Sequence, residues 1–372
     1  MSVLLKKPPF EGVSQKELAG QIEAKKKASE KLPLWFSASN IYYPNKLNIE
    51  QTSSEETARY KAQLVEGNTL LDLTGGFGVD SYFFAEKVGS VLHCEINSEL
   101  SDIAQHNFKV LGQNNIECRP EDGLSFLKNS NQKFDWIYLD PSRRNSKKEK
   151  VFLLNDCLPN VPENLSLLFK RTIHILVKTS PLLDLKKGGE ELEYVKEIHV
   201  VAVNNEVKEL LFILEYGYKE KVMVKTVNLK SSQKELFSFA LEEESEITMD
   251  YYEPTTYLYE PNAAILKSGG FKSLAKAYGL KKLHPHSHLY SSDDLVDFPG
   301  RRFQIEQKLA YSKKSIKTLN VSKANITTRN FPISVAELRK KHKIKDGGNT
   351  YLFFTKSSKD ELLVLQCEKI KD

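Results

Sequence analysis

The run Leu70-Leu71-Asp72-Leu73-Thr74-Gly75-Gly76-Phe77-Gly78-Val79-Asp80 decides the fold of this chain: an apolar strand, a turn with three glycines, then a helix. Residues without a Cβ let the backbone approach a ligand closely, and the helix N-terminus behind them supplies unpaired N–H donors. The run therefore predicts a ligand at the carboxyl end of a strand, where open α/β sheets gather their ligands. It is not the dinucleotide fingerprint G-x-G-x-x-G, because counting from Gly76 the third glycine position is Ser81.

Before this run, Ser14 and Glu17 have capping-box spacing and predict a helix from Ser14 to Lys31, closed by Pro33. Ser53 and Glu56 repeat the spacing and predict a second helix that Gly67-Asn68 stops. After it, short apolar runs alternate with helical periodicity. Strands are predicted at Thr69–Leu73, Val91–Glu95, Ile116–Arg119, Trp136–Asp140, Ile173–Lys178, Ile198–Val203 and Leu210–Leu214. Helix-length segments separate the first five, which implies parallel strands. Only Asn204 to Glu209 separate the last two, too little for a crossover, so an antiparallel hairpin is expected.

Glu95 stands at the end of the second predicted strand, followed by Ile96; a carboxylate there can accept hydrogen bonds from two vicinal ribose hydroxyls. Glu121-Asp122-Gly123 follows the third, where Asp122 can accept from an adenine amino group, although Asp-Gly is also a common turn. The fourth ends Tyr138-Leu139-Asp140-Pro141-Ser142-Arg143-Arg144-Asn145, and Lys178 ends the fifth, before Thr179-Ser180-Pro181. An acid with a glycine turn, then a ribose acid, then an adenine acid is an order that resembles motifs I to III of the S-adenosylmethionine-dependent methyltransferases. The terminal hairpin is likewise that of the class I enzymes, whereas nicotinamide Rossmann domains are parallel throughout.

That resemblance implies S-adenosylmethionine as cofactor, held by Asp72, Thr74, Gly75, Gly76, Phe77, Gly78, Glu95, Ile96, Glu121, Asp122, Gly123 and Asp140, with Asp72 facing the methionine amine. It places Asp140, Pro141 and Ser142 beside the transferred methyl group. Amino-methyltransferases of nucleic acids carry Asp/Asn-Pro-Pro-aromatic at this position. Here Ser142 replaces the second proline and Arg143 the aromatic, so Asp140 would orient or deprotonate the acceptor while Arg143, Arg144 and Lys178 grip an anionic substrate. Pyrimidine C5 methylation requires a cysteine nucleophile, and none of Cys94, Cys118, Cys157 and Cys367 fits; Cys157 reads as core in an apolar helical stretch.

Glu50 through Lys61, the two motifs and Val177-Lys178-Thr179-Ser180-Pro181 together resemble a bacterial family of class I methyltransferases. Its members carry a THUMP-like C-terminal domain and a small ferredoxin-like segment. Tyr259-Glu260-Pro261-Asn262-Ala263-Ala264-Ile265 and Arg301-Arg302-Phe303 resemble the ferredoxin-like segment, and Arg329-Asn330-Phe331 through Leu365 the THUMP-like part. THUMP proteins bind structured RNA, so the resemblance implies a tRNA or rRNA acceptor. A protein or small-molecule acceptor, and a non-catalytic RNA-binding scaffold, are the alternatives.

The expected organisation is a helical segment over 1–66, a seven-stranded Rossmann-like α/β domain over 67–230, the ferredoxin-like segment over 255–310 and a small α+β THUMP-like region over 311–372. Charge supports a polyanionic partner. Between Arg301 and Lys345 thirteen Lys and Arg face two acids, so a chain of net charge +5 carries +11 in that stretch and −6 elsewhere. A solvated lysine-rich surface is the plain alternative. With 40% apolar and 28% charged residues among 372, the composition is that of a folded globular protein. Met1 to Pro9 is too short for a signal peptide and no apolar run reaches the roughly 18 residues of a membrane span, so a cytoplasmic protein is expected. The scattered cysteines predict neither disulfides nor a metal. His284-Pro285-His286-Ser287-His288 reads as a turn rather than a metal site.

Overall fold

The strand that begins the glycine run, β1 (Thr69–Asp72), pairs in parallel with β2 (Ser90–Cys94) on one side and β4 (Trp136–Leu139) on the other. Leu70 and Leu71 are buried on both faces of the sheet, as an unbroken apolar run in a parallel strand requires. The structure is a computed structural model that describes residues 12–143, 153–231 and 233–371. The chain divides into two compact units, the first running to Val203 and resuming over Lys208–Glu220, the second comprising Asn204–Val207 and the chain from Lys221 on.

The other strands of the first unit are β3 (Ile116–Arg119), β7 (His174–Thr179), β8 (Val195–Val203), β9 (Glu206–Glu215) and a two-residue ribbon of β5 (Ser142–Arg143) with β6 (Cys157–Leu158). In space the long strands run β8-β9-β7-β4-β1-β2-β3, with β3, β2, β1, β4 and β7 parallel and β9 antiparallel to β7. Helices Val79–Ala85, Ser98–Val110, Gly123–Asn129 and Val161–Phe169 link the parallel strands. This is the class I methyltransferase order expected from the sequence. Its hairpin is tighter than expected: Asn204 and Asn205 alone make the turn, both with positive φ, a conformation asparagine tolerates. The polar run Glu206 to Glu209 is therefore strand, because cross-strand pairing continues to the turn whatever the side chains' polarity.

Before the sheet lie helices Gln15–Lys31, Pro33–Ser37, Lys46–Gln51 and Glu55–Ala62. Ser14 caps the first through the Glu17 N–H, as its spacing predicts. The last is capped by Ser54, which accepts from Thr57 N at 3.3 Å, and not by Ser53. Ser53 instead donates to Asp80 Oδ2 at 2.8 Å, a charged acceptor that outcompetes a backbone cap. Trp35 is completely buried with its ring edge-on to Tyr82 at 5.1 Å, which packs the N-terminal helices onto the sheet unit. Cys157 is buried as expected, though in β6 rather than a helix.

The second unit contains the hairpin β10 (Met223–Leu229) and β11 (Lys234–Ala240). Its seven-stranded sheet comprises β12 (Tyr257–Pro261), β13 (Lys281–Lys282), β14 (Tyr290–Ser292), β15 (Gly300–Ala310), β16 (Lys323–Thr328), β17 (Lys345–Lys356) and β18 (Leu362–Lys369), in the order β13-β14-β12-β15-β18-β17-β16. Leu258, Phe303, Phe353 and Leu365 fill one core cluster, and Ile316, Leu338, Leu352 and Phe354 another. Glu260, only 3% exposed, is held by Arg301 and Arg329.

Candidate functional site: a cleft across the strand ends

The carboxyl ends of β1, β2, β4 and β7 open into one cleft of about 1120 Å³ within the first unit. Its glycine end is built by the turn after β1. Asp72 is 1% exposed, and its carboxylate accepts from Thr74 N at 3.0 Å and Ser81 Oγ at 2.6 Å. Burial raises its pKa to about 7, against the pull of those two hydrogen bonds. Asp72 thus braces the turn from beneath. Ser81 Oγ also meets His93 Nδ1 at 2.9 Å, and burial lowers the His93 imidazole to about 4, so the ring is neutral. Gly75 lies on that ring, where an added Cβ would stand 2.1 Å from His93 Cε1. Gly78 takes φ 85° at the N-cap of the next helix, and a Cβ there would strike Phe108 at 2.4 Å.

Glu95 closes the turn from the side, accepting from Gly76 N at 2.9 Å and Asn97 N at 2.8 Å. Beside it Ile96 is 73% exposed, a bare apolar side chain on the cleft wall. Asp122 caps helix Gly123–Asn129 through Ser125 N at 2.7 Å and also lines the cleft with Gly123. Glu121 and Gly78 are not among the lining residues.

The other end is formed by β4 and β7. Asp140 N donates to Thr74 Oγ1 at 2.7 Å, which ties this strand end to the glycine turn. Its carboxylate pairs with Lys178 Nζ. Burial alone would lower the lysine's pKa, but the charges of Asp140, Asp80 and Glu209 outweigh it and the pKa is raised. Thr179 lines the same end, 2% exposed, and its Oγ1 has no hydrogen-bond partner among the described residues. Pro141, Pro159 and Pro181 with the exposed Leu158 and Leu182 give this end flat apolar walls, and Asn160, Glu163 and Asn164 a polar margin.

Residues 257–299 match a ferredoxin-like domain family, and residues 300–369 match the THUMP domain-like family. A crystal structure from Porphyromonas gingivalis W83, of a protein assigned as a methyltransferase, is 35% identical and superposes with a TM-score of 0.90 over 99% of this chain and 94% of its own. The chain belongs to the class I S-adenosylmethionine-dependent methyltransferases with ferredoxin-like and THUMP-like C-terminal domains. Among other solved structures, an rRNA methylase from Streptococcus thermophilus is 14% identical with a TM-score of 0.32, over 43% of this chain and 94% of its own. An RNA methyltransferase assignment from Pyrococcus horikoshii, PH1948, is 14% identical with a TM-score of 0.35, over 51% of this chain and 98% of its own. The family assignment rests on the Porphyromonas structure. No protein of curated function matches the sequence.

In this methyltransferase the cleft gathers Asp72, Thr74, Gly75, Gly76, Phe77, Glu95, Ile96, Asp122, Gly123, Asp140, Pro141, Ser142 and Lys178, which the sequence singled out separately. The Arg143 backbone pairs with Cys157 in the β5–β6 ribbon, and Arg144 lies outside the described residues. The cleft also has a wall the sequence reading missed: Asn48, Gln51, Thr52 and Ser53 of the N-terminal segment, with Lys208 of β9. Beneath that wall is a buried ionic cluster. Lys61, wholly buried, donates to both Glu209 oxygens at 2.8 Å and lies 3.2 Å from Asp80 Oδ1. Asp80 Oδ2 also accepts from Tyr138 OH at 2.7 Å. The available signal was Asp80 closing the glycine run and an isolated Lys61 in a helix otherwise patterned for burial. Among the described residues, no group of three or more His, Cys, Asp or Glu side chains is placed to hold a metal ion, and no helix is long and apolar enough to cross a membrane.

Proposed function

We propose that this methyltransferase modifies a base of tRNA or rRNA, and that the cleft's two ends divide the work. S-adenosylmethionine supplies an electrophilic methyl group on a sulfonium, and the glycine end fits such a group. Glu95 faces the turn where ribose hydroxyls would compete for its oxygens, Ile96 offers an apolar face to an adenine, Asp122 can read the amino group, and the glycines leave room for the chain beside them. The observation that carries the assignment of the acceptor end is Asp140. It is anchored to the turn through Thr74, paired with Lys178 and bordered by the apolar side chains of Pro141, Leu158, Pro159, Pro181 and Leu182. Asp140 accepts a hydrogen bond from the acceptor's amino group and takes up the proton released when nitrogen gains the methyl group. Holding both reactants in one oriented cleft supplies much of the acceleration.

Support for RNA comes from the second unit considered by itself. The arginines of the basic stretch are committed to carboxylates, Arg301 and Arg329 to Glu260, Arg302 to Asp297 and Arg339 to Asp346. Lys313, Lys314, Lys317, Lys323, Lys340, Lys341, Lys343 and Lys345 are exposed, on helices Lys313–Thr318 and Val335–His342 and the loops and strands beside them. Phosphates attract such an array, and each contact formed makes binding more sensitive to salt. The reading places the enzyme in the cytoplasm with its RNA. The test is transfer of a radiolabelled methyl group from S-adenosylmethionine to total RNA of a strain lacking the gene, with cell protein as competitor. Label is expected in RNA, with a modified nucleoside found by mass spectrometry in the wild type only. Label confined to protein overturns the RNA assignment.

A further inference from the structure

The glycine-end and acceptor-end residues account for the mouth of the cleft but not for the ionic cluster beneath it. Lys61 and Glu209 are 0% and 2% exposed, and Asp80 and Tyr138 form the cleft floor above them. In order, Glu209, Lys61, Asp80, Lys178 and Asp140 form a ladder of alternating charge from β9 to the acceptor end. Lys61 bridges Glu209 and Asp80 at 2.8 and 3.2 Å, and Lys178 pairs with Asp140 while feeling Asp80 and Glu209.

Stability does not explain such an arrangement. Taking paired charges out of water costs about as much as their attraction returns, and apolar residues of similar volume generally serve a core equally well. Three carboxylates share two ammonium groups here: Lys178 pairs with Asp140 at the open end, and the single Lys61 serves both Glu209 and Asp80 beneath it. We infer that Asp80 and Glu209 are positioning residues for methyl transfer: with Lys61 as counter-ion they hold Lys178 protonated and in place, so that Asp140 stays an ionised, fixed acceptor. The inference rests on Asp140 being the acceptor-side group.

The physical reason is burial. Lys178 is largely enclosed, and desolvation pulls its ammonium toward the neutral amine; Asp140, Asp80 and Glu209 reverse that. A neutral Lys178 would release Asp140, which would then be free to rotate away or take a proton. Asp80 resists protonation: burial works against it, but Lys61, Lys178 and the hydrogen bonds from Tyr138 and Ser53 outweigh burial and hold its pKa below the usual range. For Glu209 burial raises the pKa against Lys61 and Lys178, yet with both oxygens 2.8 Å from one ammonium the geometry accommodates the ionised form. Asp72 adds a further acid near Asp80 and Asp140, while Lys31 adds a cation that feels both Lys178 and Lys208. Tyr138 lies on β4 two residues before Asp140, which makes the floor and the acceptor group parts of one strand.

The test compares Glu209→Gln with Glu209→Asp in the full-length protein, by methyl transfer to RNA as a function of pH and by ¹⁵Nζ NMR titration of Lys178. Glu209→Gln is expected to lower kcat by about 10- to 100-fold with KM values little changed, as for a misplaced reacting group. The Lys178 midpoint, held above the ordinary lysine range by the acids around it, should move down. Glu209→Asp should recover most of both. If Glu209→Gln does not fold, the paired Lys61→Met/Glu209→Leu protein keeps the core filled and should show the same kinetic and NMR shifts. An unmoved Lys178 midpoint, or a loss of rate in Glu209→Gln that follows loss of melting temperature and is not recovered by Glu209→Asp, overturns the inference. Wild-type protein that labels no RNA would instead refute the RNA assignment, and the NMR titration would still decide the role of Glu209.

Discussion

The two ends of the cleft differ in how their polar groups are used. At the glycine end every acid already has partners: Asp72 has Thr74 and Ser81, Glu95 has Gly76 and Asn97, Asp122 has Ser125. At the acceptor end the Asp140 side chain stays 35% exposed beside Lys178, and Leu158 and Leu182 are bare. The first end is a preformed mould whose shape depends on tight packing. The second keeps hydrogen-bonding capacity and apolar surface in reserve for a ligand, as a substrate pocket does. A lesion at the glycine end should therefore damage the protein itself, and one at the acceptor end should damage turnover alone.

Gly75→Ala should break the comparison most severely. Its Cβ would enter the His93 ring, which Ser81 and Phe108 hold in place, so the clash cannot relax cheaply. Overpacking of this kind costs about 1–3 kcal/mol or more, and calorimetry should find no measurable affinity for S-adenosylmethionine together with a lowered melting temperature. Normal affinity would mean that the turn is not the mould described. Asp140→Ala should do the opposite, slowing transfer about 10²- to 10⁴-fold while affinity for S-adenosylmethionine stays within about threefold. A scaffold without chemistry would keep its cellular function after this change, so complementation of a deletion strain separates the two readings.

His93 sharpens the contrast through pH. Its imidazole has a folded pKa of about 4 against an ordinary 6.5, so below 6.5 the unfolded chain binds a proton that the folded protein refuses. Its share of stability is complete above pH 6.5 and is lost as pH falls toward 4, a change of up to about 3 kcal/mol. Asp72, raised to about 7, gives the opposite slope between 3.8 and 7, because there the folded protein holds the extra proton. Denaturant unfolding at several pH values should accordingly show less acid-induced loss for His93→Gln than for the wild type; parallel curves would contradict a neutral buried imidazole. The smallest effect belongs to Thr179→Val, which removes one buried hydroxyl with no hydrogen-bond partner among the described residues. It should raise stability by about 1 kcal/mol or leave it unchanged, because a buried hydroxyl without a partner costs free energy that a methyl group of the same shape does not. A lowered melting temperature would show that the hydroxyl is satisfied in the folded protein.

Which residues were legible beforehand follows the same division. Asp72, Gly75, Gly76 and Glu95 could be read from the sequence because their partners lie within the turn or one strand away, as in the Gly76–Glu95 contact across 19 residues. Ser53 misled for the same reason: its spacing to Glu56 is a local capping pattern, but its hydroxyl serves Asp80, 27 residues on. Glu209 was hidden more deeply. It read as loop between two predicted strands, and only the pairing of β9 beside β7 carries it to Lys61, 148 residues away. The lining residues Asn48, Gln51 and Thr52 had no chemical pattern of their own.

From amino-acid order alone came the strand–turn–helix that lines the cleft, the parallel strands with a closing hairpin, and the acids at successive strand ends, because each depends on periodicity and on contacts a few residues apart. Folding in three dimensions decided which of those acids are braces and which face open space, supplied the N-terminal wall, and placed Lys61 and Glu209 against Asp80 at the cleft floor. Burial and charge pairing depend on neighbours distant along the chain, and no local pattern encodes them.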